Sequence, residues 1–256
     1  MKRLMETNPW YRLRSHTAAR IALGRVGNSL PTQEVLKFGL AHAQARDAVH
    51  CPLDVARLEV DLGQAGFACN RVRSQAGDRH TYLLRPDLGR RLNESDRARL
   101  KESTGSECVI LIADGLSAIA VQRHTVPVLV GLRQYLVADW NRITLVIAEQ
   151  GRVALGDDVG EALKARMAVV LIGERPGLSS PDSLGIYMTY GPQIGRLDSE
   201  RNCISNVRPE GLPYADAAKG LAHLIHQSLL QGLSGVALKA DSDVKASIEN
   251  CSQPRT

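Results

Sequence analysis

Three stretches of the chain run almost without a polar residue and are rich in β-formers: Glu107 to Ile112 (ECVILI), Arg142 to Ala148 (RITLVIA) and Met167 to Ile172 (MAVVLI). A strand without polar alternation has to be covered on both faces. Helical patterns lie between and after these runs, at Ser117 to Val137, Asp157 to Arg166 and Tyr214 to Leu230. Buried strands alternating with helices predict an α/β fold, doubly wound, with a mostly parallel sheet. His80 to Leu84 reads as a further short β-like run, and the Ser234 to Leu238 segment follows the last helix.

Ahead of this lies a segment of different character. Residues 1–75 read as an N-terminal helical segment and residues 76–256 as the α/β domain. Thr17 to Leu23 reads as a helix stopped by Gly24 and Gly27. Pro31-Thr32 opens a longer one, with Val35, Leu36, Phe38, Leu40, Ala41, Ala45 and Val49 near helical spacing and His42, Arg46 and His50 on its other face. Cys51-Pro52 interrupts it, and Leu53 to Ala65 is helical again. So many apolar helix faces with few local partners predict packing on the following domain or on another subunit.

In a doubly wound sheet, ligands gather at the carboxyl ends of the strands. There the first apolar run gives Asp114 and Ser117, which either cap the next helix or belong to a site. The second leads into Gln150-Gly151-Arg152-Val153, and Asp157 and Asp158 then complement a helix dipole. The third stops at Gly173-Glu174-Arg175-Pro176-Gly177, where Glu174 and Arg175 can pair with each other. From Leu171 to Gly211 the chain reads as a long polar connection anchored by Ile186, Tyr187, Met188, Tyr190, Cys203, Ile204 and Val207, and loops of that length are usually functional. Cys203 follows Arg201, a cation that would favour its thiolate.

Several function classes are excluded by what is missing. With a net charge of +5, scattered basic residues and only two Trp, two Phe and six Tyr, the chain offers no stacking platform or basic stripe for nucleic acid. No apolar run approaches the roughly 20 residues of a membrane helix, and Met1 to Asn8 has no signal-peptide core. The cysteines, Cys51, Cys69, Cys108, Cys203 and Cys251, lack any zinc spacing, so free thiols in a reducing cytosol and no metal site are expected. Phosphate-cradling glycine motifs are absent. Asp78-Arg79-His80 begins like a cobalt-ligating Asp-x-His-x-x-Gly motif, but Leu83 stands where Gly is needed. His223 and His226 sit one helical turn apart without a third ligand.

Four blocks then carry a family resemblance: Tyr82 to Arg91 (YLLRPDLGRR), Ala113 to Ser117 (ADGLS), Gly173 to Leu178 (GERPGL) and Arg201 to Asn206 (RNCISN). In this order and spacing, from about Trp10 to Leu238, the chain resembles the small (light) subunit of ethanolamine ammonia-lyase. The resemblance implies an adenosylcobalamin-dependent lyase that converts ethanolamine to acetaldehyde and ammonia by a radical mechanism, in ethanolamine degradation. It implies a hetero-oligomer in which the large subunit carries the main substrate contacts and this chain, with no catalytic residue of its own, covers the cobalamin. Cofactor contacts carry over to Val153, Glu174 and Cys203, with Asp114, Ser117 and Arg175 as second-tier cofactor or interface residues. Residues 1–75 would dock the large subunit. The implied location is the bacterial cytoplasm, or an ethanolamine-utilisation microcompartment; some members carry a longer leader ahead of the Trp10 region. Two other classes stay open: a self-sufficient α/β enzyme using Glu174, Arg175 and Cys203, and a non-catalytic scaffold subunit.

Overall fold

The computed structural model describes residues 7–102 and 105–238. Its centre is a six-stranded sheet of β1 (Cys69–Arg73), β2 (Cys108–Ala113), β3 (Ile143–Glu149), β4 (Met167–Gly173), β5 (Leu184–Tyr190) and β6 (Arg201–Val207), in the order β1-β3-β2-β4-β5-β6. The first four are parallel, while β5 runs antiparallel to both β4 and β6. The helices are α1 (Thr32–His50), α2 (Val55–Gln64), α3 (Arg79–Leu84), α4 (Glu94–Lys101), α5 (Ala118–Tyr135), α6 (Leu155–Ala162) and α7 (Tyr214–Gln231). The architecture is the expected α/β fold with a mostly parallel sheet.

The apolar runs are explained by cover on both faces. Every residue of β2 and β4 is buried. Cys108, Ile110 and Ile112 face a core completed by Leu58 and Leu62 of α2, Val128 and Leu129 of α5, and Leu221 and Ile225 of α7. Val109, Leu111 and Ala113 face the opposite core, completed by Leu100 of α4 and by Leu155 and Val159 of α6. Each such aliphatic side chain contributes about 1.5–3 kcal/mol when fully buried, so both layers are needed to hold the sheet.

Elsewhere the structure departs from sequence expectation, each time for a local reason. His80 to Leu84 is not a strand but lies in α3. Asp78 accepts the Thr81 amide at 2.9 Å, and this cap outweighs the β-preference of Thr81 and Tyr82. Thr17 to Leu23 is not helical: Ala22 takes a positive φ of 49°, and a piece this short ahead of Gly24 cannot nucleate. The sheet takes its edge strand β1 from within the segment that reads as helical, because only Val72 of its five residues is buried. The stretch from Leu171 to Gly211 is not one polar connection but holds β5 and β6. β6 gives no apolar signal, its buried ends being Arg201 and Val207. α4 buries only Leu100, too little to mark a helical period. The polar tail beyond Asp241, with Cys251, lies outside the described residues.

α1 forms where expected, yet buries only Glu34, Ala41 and Ala48 and leaves Val35, Leu36, Phe38 and Leu40 exposed. Among the described residues, no helix is long and apolar enough to cross a membrane.

Candidate functional site

β2 and β3 are neighbours, but the helices that follow them, α5 and α6, pack on opposite faces of the sheet. A crevice opens at such a point in doubly wound folds. Here Asp114 closes it. Its carboxylate accepts the amides of Gln150 at 3.0 Å and Gly151 at 2.9 Å and lies 3.6 Å from the Arg79 guanidinium. Arg79 in turn donates to the carbonyls of Gly115 and Val49, each at 2.8 Å. Burial pushes the Asp114 carboxyl up to about 6, against the pull of Arg79 and the two amides. Beside it the buried Tyr82 donates to the Gly151 carbonyl at 3.1 Å, and the Arg79 and Arg152 guanidiniums both lie over its ring. Ser117 is the N-cap of α5 and donates its hydroxyl proton to the Pro181 carbonyl at 2.9 Å.

The open part of the rim lies on the α6 face, at the exits of β3 and β4 and along β6. Glu174 follows the last residue of β4 and is half-buried. Its Oε2 accepts both the Ser183 hydroxyl and, at 3.2 Å, the Asn206 amide. Its Oε1 lies over Gly185, where a Cβ would come within 3.0 Å, so the carboxylate occupies space that only glycine leaves. No ion pair joins Glu174 to Arg175 among the described residues, and Arg175 is exposed. Tyr187 is paired in register with Cys203, and directly opposed residues share a face. Val153, in the turn ahead of α6, packs with Tyr187 against the cluster that contains Val170 and Ile172. Val153, Glu174 and Cys203 therefore share one face of the rim, with Tyr187 between them.

Cys203 reaches solvent. Loss of hydration pushes its thiol above the ordinary value, the Glu174 carboxylate adds to this, and the Tyr187 hydroxyl opposes it. Arg201, the nearby cation in sequence, is committed to Asp157 in a buried two-bond fork, which agrees with a contact role for Cys203 rather than a catalytic one. Asp157 and Asp158 do sit in the first turn of α6, and they also bind outward: Asp158 accepts the Leu92 amide at 2.9 Å.

The loop carrying Ser183 is fastened from the opposite face. The His124 Nε2–H donates to the Asp182 carbonyl at 2.8 Å, which leaves Nδ1 to accept from the Tyr214 hydroxyl, also at 2.8 Å. The Asp182 carboxylate pairs with Arg123 and Arg208. Burial holds the His124 pKa below its ordinary value of 6.5, while Asp182 pulls it up. The folded chain thus binds this proton less readily than the unfolded chain. The contribution to stability is complete above about pH 6.5 and is lost as pH falls below it. His124→Gln should flatten the loss of the urea midpoint between about pH 7 and pH 5; an unchanged slope would contradict this role.

Ser183, Gly185 and the Asn206 amide give no sequence signal of their own; a strand assignment for Leu184–Tyr190 would have placed Gly185 and Tyr187 on one face. His223 and His226 line a groove of about 400 Å³ with Cys108, Ile143 and Met167, at the amino-terminal end of the parallel strands, away from the rim. No group of three or more metal-binding side chains gathers among the described residues.

Comparison with known proteins gives the following. The family model described as Ethanolamine ammonia-lyase light chain (EutC) matches residues 7–239. The chain is 54% identical over 245 residues to the ethanolamine ammonia-lyase small subunit of Pseudomonas aeruginosa (strain LESB58), covering 93% of this chain and 90% of that one. It is 54% identical over 243 residues to the protein of the same name from Azotobacter vinelandii, with coverage of 93% and 90%. The Pseudomonas putida counterpart (strain KT2440) is 53% identical over 249 residues, with coverage of 95% and 91%.

Proposed function

The chain belongs to the ethanolamine ammonia-lyase light chain family, and from that premise we propose that it closes one side of an adenosylcobalamin site whose other side the large subunit supplies. The observation that carries this proposal is the state of Glu174. Its Oε2 is already saturated by two internal donors, while no donor among the described residues reaches Oε1. A corrin is a broad amphipathic disc fringed with amide N–H donors, which a half-buried carboxylate oxygen suits. Val153 and Tyr187 offer apolar surface beside it, and Cys203, its thiol kept protonated, adds a compact neutral contact. The residues present therefore fit the cofactor. When bound, adenosylcobalamin supplies the radical chemistry by which ethanolamine becomes acetaldehyde and ammonia. This chain's residues bind and orient it and keep water from its face.

We assign no substrate contact to this chain; those belong to the large subunit, and activity requires both. Arg175, exposed beside Glu174, is a cofactor or interface contact in this proposal, whereas Asp114 and Ser117 shape the rim from beneath. The workplace is the bacterial cytoplasm or an ethanolamine-utilisation microcompartment.

Glu174→Ala removes the free acceptor, and with it the partner of the Ser183 hydroxyl and the Asn206 amide, without opening the core, since the residue is only half-buried. Adenosylcobalamin affinity of the complex reconstituted with the large subunit should fall about tenfold, the worth of one charge-assisted hydrogen bond, while assembly is kept. An unchanged dissociation constant would remove Glu174 from the site. Binding of the large subunit without any effect on cobalamin would favour the scaffold alternative, and turnover by this chain alone would favour a self-sufficient enzyme.

The N-terminal segment is proposed to dock the large subunit, on the strength of α1. Leu36 is 68% and Phe38 48% exposed, so neither holds the isolated chain together. The double change Leu36→Glu/Phe38→Glu should leave its melting temperature unchanged and abolish co-purification with the large subunit. Retained co-purification would move the interface elsewhere.

A further inference from the structure

β6 is the outer strand of the sheet, with β5 as its one neighbouring strand. It nevertheless carries Cys203, so something must fix its height relative to the other cofactor-facing residues. α6 is seated without play. A Cβ on Gly156 would run into the Val170 side chain, and one on Gly160 would lie 2.8 Å from Cβ of Pro192. Between this helix and β6 stands one ion pair. Arg201 donates Nη1–H and Nη2–H to the two Asp157 oxygens, each at 2.7 Å, with the side chains only 3% and 2% exposed. The same guanidinium also donates to the Thr189 hydroxyl and the Arg196 carbonyl, each at 2.9 Å. Asp157 lies one helical turn beyond Val153, and Arg201 lies two residues before Cys203 on the same face of its strand.

We propose that the Asp157–Arg201 pair is the positioning device of the cofactor face, setting the distance between the Val153 turn and the Cys203 strand. The proposal rests on the assignment of this rim to cobalamin. Stability alone is a poor reason for the pair. The desolvation of two buried charges offsets much of their attraction, and well-packed apolar residues often replace them without loss. A bidentate fork supplies what apolar contact does not, a fixed direction and length. Neither residue touches the cofactor in this account; both act through the backbone that carries Val153 and Cys203.

The test follows from that difference. Asp157→Leu/Arg201→Met exchanges the pair for apolar side chains of similar bulk. In the reconstituted complex, the expected result is a melting temperature close to wild type and adenosylcobalamin affinity weakened at least about tenfold, as when a partner that orients a ligand is removed. Turnover at saturating cofactor should be largely retained, a split that a general loss of folding would not give. Glu174→Ala is measured alongside. If it weakens binding and the double variant does not, the positioning role is overturned and the cofactor assignment stands. If neither changes the affinity, the cofactor assignment fails and this inference with it. Should the double variant not assemble, Arg201→Lys, which keeps the charge and loses the fork, is read by the same criteria.

Discussion

Gly173→Ala will destabilise the chain strongly, because the added methyl group meets only backbone at the rim. A Cβ at position 173 would lie 2.6 Å from the Ser117 carbonyl carbon and 2.7 Å from the Asp114 carbonyl oxygen, and closer still to the Ser117 oxygen. All three are backbone atoms, and none can rotate aside. Their positions are fixed twice over, since the Leu116 amide donates to the Gly173 carbonyl at 2.9 Å and Ser117 caps α5. The end of β4 would have to part from the start of α5. Overpacking of this kind costs about 1–3 kcal/mol where side chains can adjust; with backbone on every side we expect about 3 kcal/mol or more. At about 2–4 °C per kcal/mol for a domain of this size, the melting temperature falls by about 6–12 °C. A loss of only 1–2 °C would show that the two loops part easily.

Asp114→Ala is expected to cost about 3–5 kcal/mol, the usual penalty for removing one partner of a buried ion pair. It strips acceptors from the Gln150 and Gly151 amides and leaves the Arg79 guanidinium facing a cavity. The loss should appear as a lower urea midpoint of the isolated chain. Acidity gives a second signature. In the folded chain the Asp114 carboxyl holds its proton up to about 6, against an ordinary value of 3.8. Between those values the folded state binds more protons than the unfolded state, so this group's contribution to stability falls as pH rises through the window and is level above it. Asp114→Asn should remove that slope.

The central sheet was legible because β2, β3 and β4 are covered on both faces, so burial is written as unbroken apolar sequence. The edges were not, for the converse reason. β1 and β6 bury few residues, and one of those on β6 is an arginine whose partner, Asp157, is 44 residues away in sequence. No local pattern announces an acid that pairs across such a distance, so Asp157 read as a dipole-complementing first-turn residue and nothing more. The strand-end rule pointed to Glu174 and to the neighbourhood of Val153, Cys203 was singled out beside Arg201, and the family resemblance added Val153 itself. The face these three residues share depends on the antiparallel turn of β5. Leu184–Tyr190 is apolar enough to be a strand, but its neighbours are rich in glycine, proline and serine, which masked it.

The two glycines that let α6 lie directly on the sheet have a consequence for the order in which the molecule opens. In a helix of eight residues, each glycine costs about 1 kcal/mol relative to alanine, and so short a helix does not persist alone in water. α6 can therefore exist only while β4 is beneath it. Its amides cannot exchange with solvent deuterium through fraying of an independently stable helix, and their protection should rise and fall with that of β4. The rim then has no soft half: the ledge beside Val153 persists for as long as the sheet that carries Glu174, and the two melt as one cooperative unit.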